Sequence, residues 1–67
     1  MAIKVKLPNG DLKIIDDVNE MKVGELLEKL GLLREEYIVT KDGYVITDED
    51  VVVNGDEVVL YAVVSGG

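Results

Sequence analysis

Apolar and polar residues alternate at the start of the chain. In AIKVKL (residues 2–7), Ile3, Val5 and Leu7 fall on one side and Lys4 and Lys6 on the other, the pattern of a half-buried strand. Pro8-Asn9-Gly10 follows, and Asn and Gly tolerate the positive φ of a tight turn. DLKII (residues 11–15) then predicts the returning strand, with Leu12 and Ile14 directed inward. The period changes at VGELLEKLG. Val23, Leu26, Leu27 and Leu30 stand at i, i+3, i+4 and i+7, the apolar stripe of a helix, with Glu25, Glu28 and Lys29 on the other side. Glu25 and Lys29 form an i,i+4 pair in the favourable order, worth roughly 0.2–0.5 kcal/mol. Gly31 suits the C′ position, where a left-handed residue ends a helix. Gly24 costs about 1 kcal/mol relative to alanine in a helix interior, and its expected use is close approach to a strand. Lys22 stands where Ser, Thr or Asp is preferred as N-cap, so Asn19 is an alternative start.

The second half is rich in β-branched residues. YIVTKDGYVIT (residues 37–47) is two strand-like runs around Lys41-Asp42-Gly43, a hairpin signal. Asp48-Glu49-Asp50 is a charged connection, Asn54 to Glu57 a turn, and VVLYAVV (residues 58–64) the last strand. The order ββαββ predicts an α+β fold of the β-grasp type, with a mixed four- to five-stranded sheet and one helix packed across one face. Residues 1–63 are expected to form that single domain. The last strand breaks the alternation of a sheet with one wet face. If Val58, Leu60 and Ala62 face the core, then Val59, Tyr61 and Val63 face outward. Two readings stay open. The stems of Lys4 and Lys6 cover this face, or it is an exposed apolar patch that a partner covers.

Composition narrows the functions. The chain has 67 residues, 48% hydrophobic but without Phe or Trp, and neither Cys nor His. Disulfides, thiolate metal sites and histidine bases are therefore absent. Fourteen acidic residues against seven basic give −7 at pH 7. The bases Lys4, Lys6, Lys13, Lys22, Lys29, Arg34 and Lys41 are scattered rather than gathered into the face a nucleic acid needs. The charge serves either attraction to a basic protein surface or solubility alone. The first ten residues lack the apolar core of a signal peptide, and no apolar run approaches the roughly 18 residues of a membrane helix. A cytoplasmic protein that binds neither membrane nor nucleic acid is expected. Asp48, Glu49 and Asp50 lack the spacing of a calcium loop, so no metal is expected and a solvated turn is the plain reading. Ser65, the sole serine, has no histidine to activate it. The chain does not read as an enzyme on its own.

The chain closes on SGG, with Gly66 and Gly67 directly after the apolar strand. In combination, VGELLEKLG, NGDEVVLYAVV and the closing SGG resemble the ubiquitin-like sulfur carriers. These are the carrier of thiamine biosynthesis, the small subunit of molybdopterin synthase and the small archaeal modifiers. The resemblance covers essentially the whole chain, with departures at Lys22 and Val59. It implies that an ATP-dependent activating enzyme of the ubiquitin-activating type adenylates the carboxylate of Gly67. A sulfur donor then converts it to a thiocarboxylate for thiamine, molybdopterin or tRNA thiolation. Alternatively the terminus is conjugated to lysines of target proteins. No cofactor is held by the carrier itself, and ATP belongs to the partner. Val64, Ser65 and Gly66 are expected to form a flexible tail, residues 64–67, that binds in the partner's channel. Glycine suits such threading because it lacks Cβ, and four extended residues reach about 13 Å at ~3.3 Å each. Val59, Tyr61 and Val63 form the expected partner patch. The competing reading is a non-catalytic β-grasp binding or regulatory domain in which Gly-Gly is incidental, a cut linker.

Overall fold

The computed structural model describes residues 2–63. β1 (Ala2–Lys6) and β2 (Leu12–Asp16) form an antiparallel hairpin, followed by a short β3 (Glu20–Lys22) and α1 (Val23–Lys29). A 3-10 turn (Arg34–Glu36) leads into β4 (Tyr37–Lys41), β5 (Tyr44–Ile46), β6 (Val51–Val53) and β7 (Glu57–Ala62). Five strands make one mixed sheet in the order β2-β1-β7-β4-β5, and β3 pairs with β6 in a separate ribbon. The last strand in sequence is thus the central one, parallel to β1 and antiparallel to β4. The expected class, one helix across one face of a mixed sheet, is the observed one. The ribbon of β3 and β6 was not anticipated.

The core lies between the sheet and α1. Ile3, Val5, Ile15, Val39, Val58 and Leu60 of the sheet meet Val23, Leu26 and Leu27 of the helix, and Val52 of β6 joins them. Leu30 packs on this cluster from its margin. Leu12 and Ile14 are not part of it, contrary to the sequence expectation. β2 pairs with β1 so that Ile15 opposes Ile3, while Ile14 opposes Lys4 and Leu12 opposes Lys6. Side chains alternate with period two, so the choice of Ile15 as the inward residue turns Leu12 and Ile14 to the open face. They are 53% and 47% exposed.

The helix begins at Val23, not near Asn19, and Lys22 has the extended backbone of an N-cap (φ −74°, ψ 150°). Lysine has no acceptor with which to cap, so other groups satisfy the free donors of the first turn. The Glu25 carboxylate accepts from the Lys22 N–H at 3.0 Å. The Val23 and Gly24 N–H groups donate to the carbonyls of Asp50 and Asp48, each at 2.9 Å. The charged connection is therefore the cap of the helix. Gly24 approaches this connection and not a strand, for a Cβ there would lie 3.3 Å from the Asp48 carbonyl oxygen. Glu25 is engaged at the cap, and the expected Glu25–Lys29 ion pair is not among those of the described residues. At the other end, Gly31 N–H donates to Glu28 O (3.0 Å) and Leu32 N–H to Leu27 O (2.9 Å). These are the two bonds of a Schellman motif, with Gly31 at φ 73°. The β4–β5 hairpin turns on Asp42 (φ 53°) and Gly43 (φ 82°), the positive angles of a two-residue type I′ turn.

Candidate functional site

β7 organises the surface of interest. Its inward residues Val58 and Leu60 are buried, which sets Glu57, Val59 and Tyr61 on the face opposite the helix. The pairing Tyr61↔Ile38 and Val59↔Thr40 carries that face onto β4. The Val63 N–H donates to the Glu36 carbonyl at 2.9 Å, extending the same register one pair beyond Tyr37↔Ala62. Val63 thus lies on the same face as Tyr61. Tyr61 is 55% exposed and Val63 45%. Val59 is half-buried between Lys6 and Thr40, its register neighbours on either side. Val59 is thus half-buried, whereas Tyr61 and Val63 are open.

Beside Tyr61 a groove of about 300 Å³ opens between β7 and the β1–β2 turn, walled by Leu7, Pro8, Gly10 and Ala62 with Lys6 at one side. The turn is held by the Leu7 N–H to Asp11 O bond (2.8 Å), and the Asn9 side chain accepts from the Asp11 N–H (2.9 Å). The groove wall is thus a locked hairpin. Gly67, Gly66, Ser65 and Val64 lie outside the described residues. The structure brings Val59, Tyr61 and Val63 onto one face and adds three residues that sequence reasoning missed. Ile38, 42% exposed, is cross-strand from Tyr61, and Leu12 and Ile14 lie across Lys6 and Lys4. Ile38 was recoverable from its position next to inward Val39. Leu12 and Ile14 were not recoverable without the register.

The carboxyl of Asp56, directly before β7, is held below its ordinary range. The Val53 N–H (2.8 Å) is the main cause; burial opposes it, and the Lys41 ammonium (3.0 Å) adds to the lowering. This group ties the β6–β7 turn to the β4–β5 hairpin and is a structural tie. Among the described residues no cluster of His, Cys, Asp or Glu is placed to hold a metal ion, and no helix is long and apolar enough to cross a membrane.

One helix laid across a five-stranded mixed sheet, with the C-terminal strand at its centre and an apolar face along that strand, defines the class. This is a ubiquitin-like β-grasp fold. The model of the ThiS family matches residues 5–67, and the chain belongs to that family. Among solved structures it is similar to the thiamine biosynthesis protein (ThiS) from Geobacter metallireducens, with 28% identity, 100% of both chains covered and a TM-score of 0.72. It is similar in fold to SAMP1 from Haloferax volcanii, at 21% identity, full coverage of both chains and a TM-score of 0.73. A designed protein based on human erythrocytic ubiquitin shares the fold at 21% identity and a TM-score of 0.69, with 98% of this chain and 95% of that one covered. No curated protein matches the sequence significantly.

Proposed function

We propose that this protein carries sulfur as a thiocarboxylate on Gly67, in the cytoplasm, as the substrate of an adenylating enzyme and not as an enzyme itself. The observation that carries the reading is the family match through residue 67, on a body whose central strand leads into that tail. A carboxylate is a poor acyl electrophile because its leaving group would be oxide. A Gly67 carboxylate oxygen attacks the α-phosphorus of ATP in the partner's site, and pyrophosphate leaves. A sulfur nucleophile at the sulfide oxidation level then attacks the acyl carbon, and AMP leaves. The carrier needs no resident cofactor for this. Val64, Ser65 and Gly66 thread the partner's channel, and Val59, Tyr61 and Val63 dock on its surface. Thiamine biosynthesis is the proposed destination, by likeness to the Geobacter protein.

The test is intact mass after incubation with ATP, an adenylating enzyme and a sulfide source. A gain equal to one sulfur-for-oxygen exchange is expected. A ladder of larger species would instead mean conjugation to lysines. Deletion of Gly66 and Gly67 should abolish ATP–pyrophosphate exchange, and Gly66→Ala should slow it by placing a methyl group in the channel. Full exchange by the shortened protein would show that the terminus is not the reacting group.

A further inference from the structure

The chain carries three asparagines and no glutamine, and two of the three stand before glycine, as Asn9-Gly10 and Asn54-Gly55. A glycine nitrogen has no neighbouring Cβ to hinder it, so each pair can cyclise. The deprotonated glycine nitrogen attacks Cγ of the asparagine, a C–N bond forms, and the carboxamide nitrogen leaves as ammonia. Water then opens the cyclic imide at either carbonyl. The product is aspartate, or isoaspartate with its main chain running through Cβ. In the fold both nucleophiles are engaged. The Gly10 N–H donates to Leu7 O at 2.9 Å and the Gly55 N–H to Ala2 O at 3.0 Å. Neither nitrogen can lose its proton or turn toward Cγ until that bond opens.

The two bonds differ in what must move to open them. The Gly10 bond lies within an exposed hairpin tip, as do those of the Asn9 carboxamide with Asp11 (2.9 and 3.1 Å). The Gly55 bond joins the β6–β7 turn to β1, and the bonds beside it also reach elements remote in sequence. The Asn54 N–H donates to Asn19 O at 2.9 Å, and the Lys4 N–H donates to Asp56 O at 3.0 Å. Loop tips fray far more readily than pairings between remote elements part. We propose that Asn54 is a deamidation site gated by the contact of β1 with the β6–β7 turn. It is spared while the sheet is closed and converts when β1 parts from that turn, whereas Asn9 answers to local fraying alone. The conversion marks the chain for good. Isoaspartate lengthens the backbone between Val53 and Asp56. That span is closed by the Asp56 N–H to Val53 O bond (2.9 Å) and by the Val53 N–H to the Asp56 carboxylate (2.8 Å). A chain that has opened and reacted there no longer fits its own turn, and the start of β7 is loosened.

The experiment incubates the whole protein in mildly alkaline buffer and follows each asparagine by peptide mapping, with isoaspartate scored separately from aspartate. In the folded protein Asn54 should react at least about tenfold more slowly than Asn9. In urea sufficient to unfold the chain, that difference should vanish. Ile3 is a buried residue of β1, so its truncation should weaken the gate. Ile3→Ala should raise the Asn54 rate at least about tenfold, and Ile3→Val, which keeps the fold if the alanine variant does not, by about threefold. Asn9 should stay within about twofold of the parent in either variant. Hydrogen exchange of the Gly55 N–H should quicken in step with Asn54, because both need the same bond to open. A folded-state rate at Asn54 equal to or above that at Asn9, a rate unmoved by Ile3→Val, or protection of Asn54 that persists in urea overturns the proposal.

Discussion

Gly24 carries two opposed effects. In an exposed helix, replacing glycine with alanine stabilises by about 1 kcal/mol. Here the added Cβ would meet the Asp48 carbonyl at 3.3 Å, and that carbonyl accepts the Gly24 N–H at 2.9 Å. The connection that must shift also caps the helix, through Asp50 on Val23. Gly24→Ala should therefore destabilise, by about 0.5–1 kcal/mol, seen as a lower Tm. A raised Tm would mean that propensity wins and the close approach is immaterial. Asp56 gives a second prediction at this scale. Its folded pKa lies below the unfolded value because the Val53 N–H and Lys41 favour the charged form. The sign follows: its stabilisation is complete above the ordinary carboxylate range and disappears as pH falls through the lower folded value. Asp56→Asn keeps an acceptor but not the charge, so its Tm should fall less steeply on acidification than the parent's. Parallel curves would show that Asp56 contributes nothing titratable.

Among the elements, legibility depended on how much pattern each one carries. The helix showed four apolar residues at helical spacing with a glycine after them, and it lies one residue short of the expected span, at Val23–Lys29 with Leu30 as its cap. The Asp42-Gly43 turn was legible because few dipeptides accept two positive φ angles. β2 was legible as a strand but not in its facing. LKII offers one apolar side as Leu12 and Ile14 and the other as Ile15, and only pairing with Ile3 decides between them. β3 and β6 are three residues each, too short for a period to show. Their existence follows from the pairing of Met21 with Val52, which closes the core beside the helix. The cap of α1 was illegible for the same kind of reason. It comes from backbone carbonyls more than twenty residues downstream, and no local side chain announces it.

For the molecule as a whole, the open apolar face of β7 was legible only in part. Alternation located Val59, Tyr61 and Val63, but neighbours on β2 and β4 depend on strand order. The face makes a prediction separable from folding. Tyr61 is more than half exposed and not a member of the buried core cluster, whereas an apolar anchor lost from an interface costs roughly 2 kcal/mol or more. Tyr61→Ala should thus raise the carrier KM for adenylation roughly tenfold or more while leaving Tm nearly unchanged. A collapse of Tm would assign Tyr61 to stability instead. The central placement of β7 also bears on how the chain comes off the ribosome. β1 is made first, but its parallel neighbour is more than fifty residues away in sequence, and such distant pairings form slowly. Until β7 emerges, the nascent chain holds two hairpins with no strand between them. A chain that stalls before Glu57 leaves both halves of its sheet with bare edges, open to proteases. The sheet closes only around β7, so synthesis must pass Ala62 before the two hairpins can join into one body.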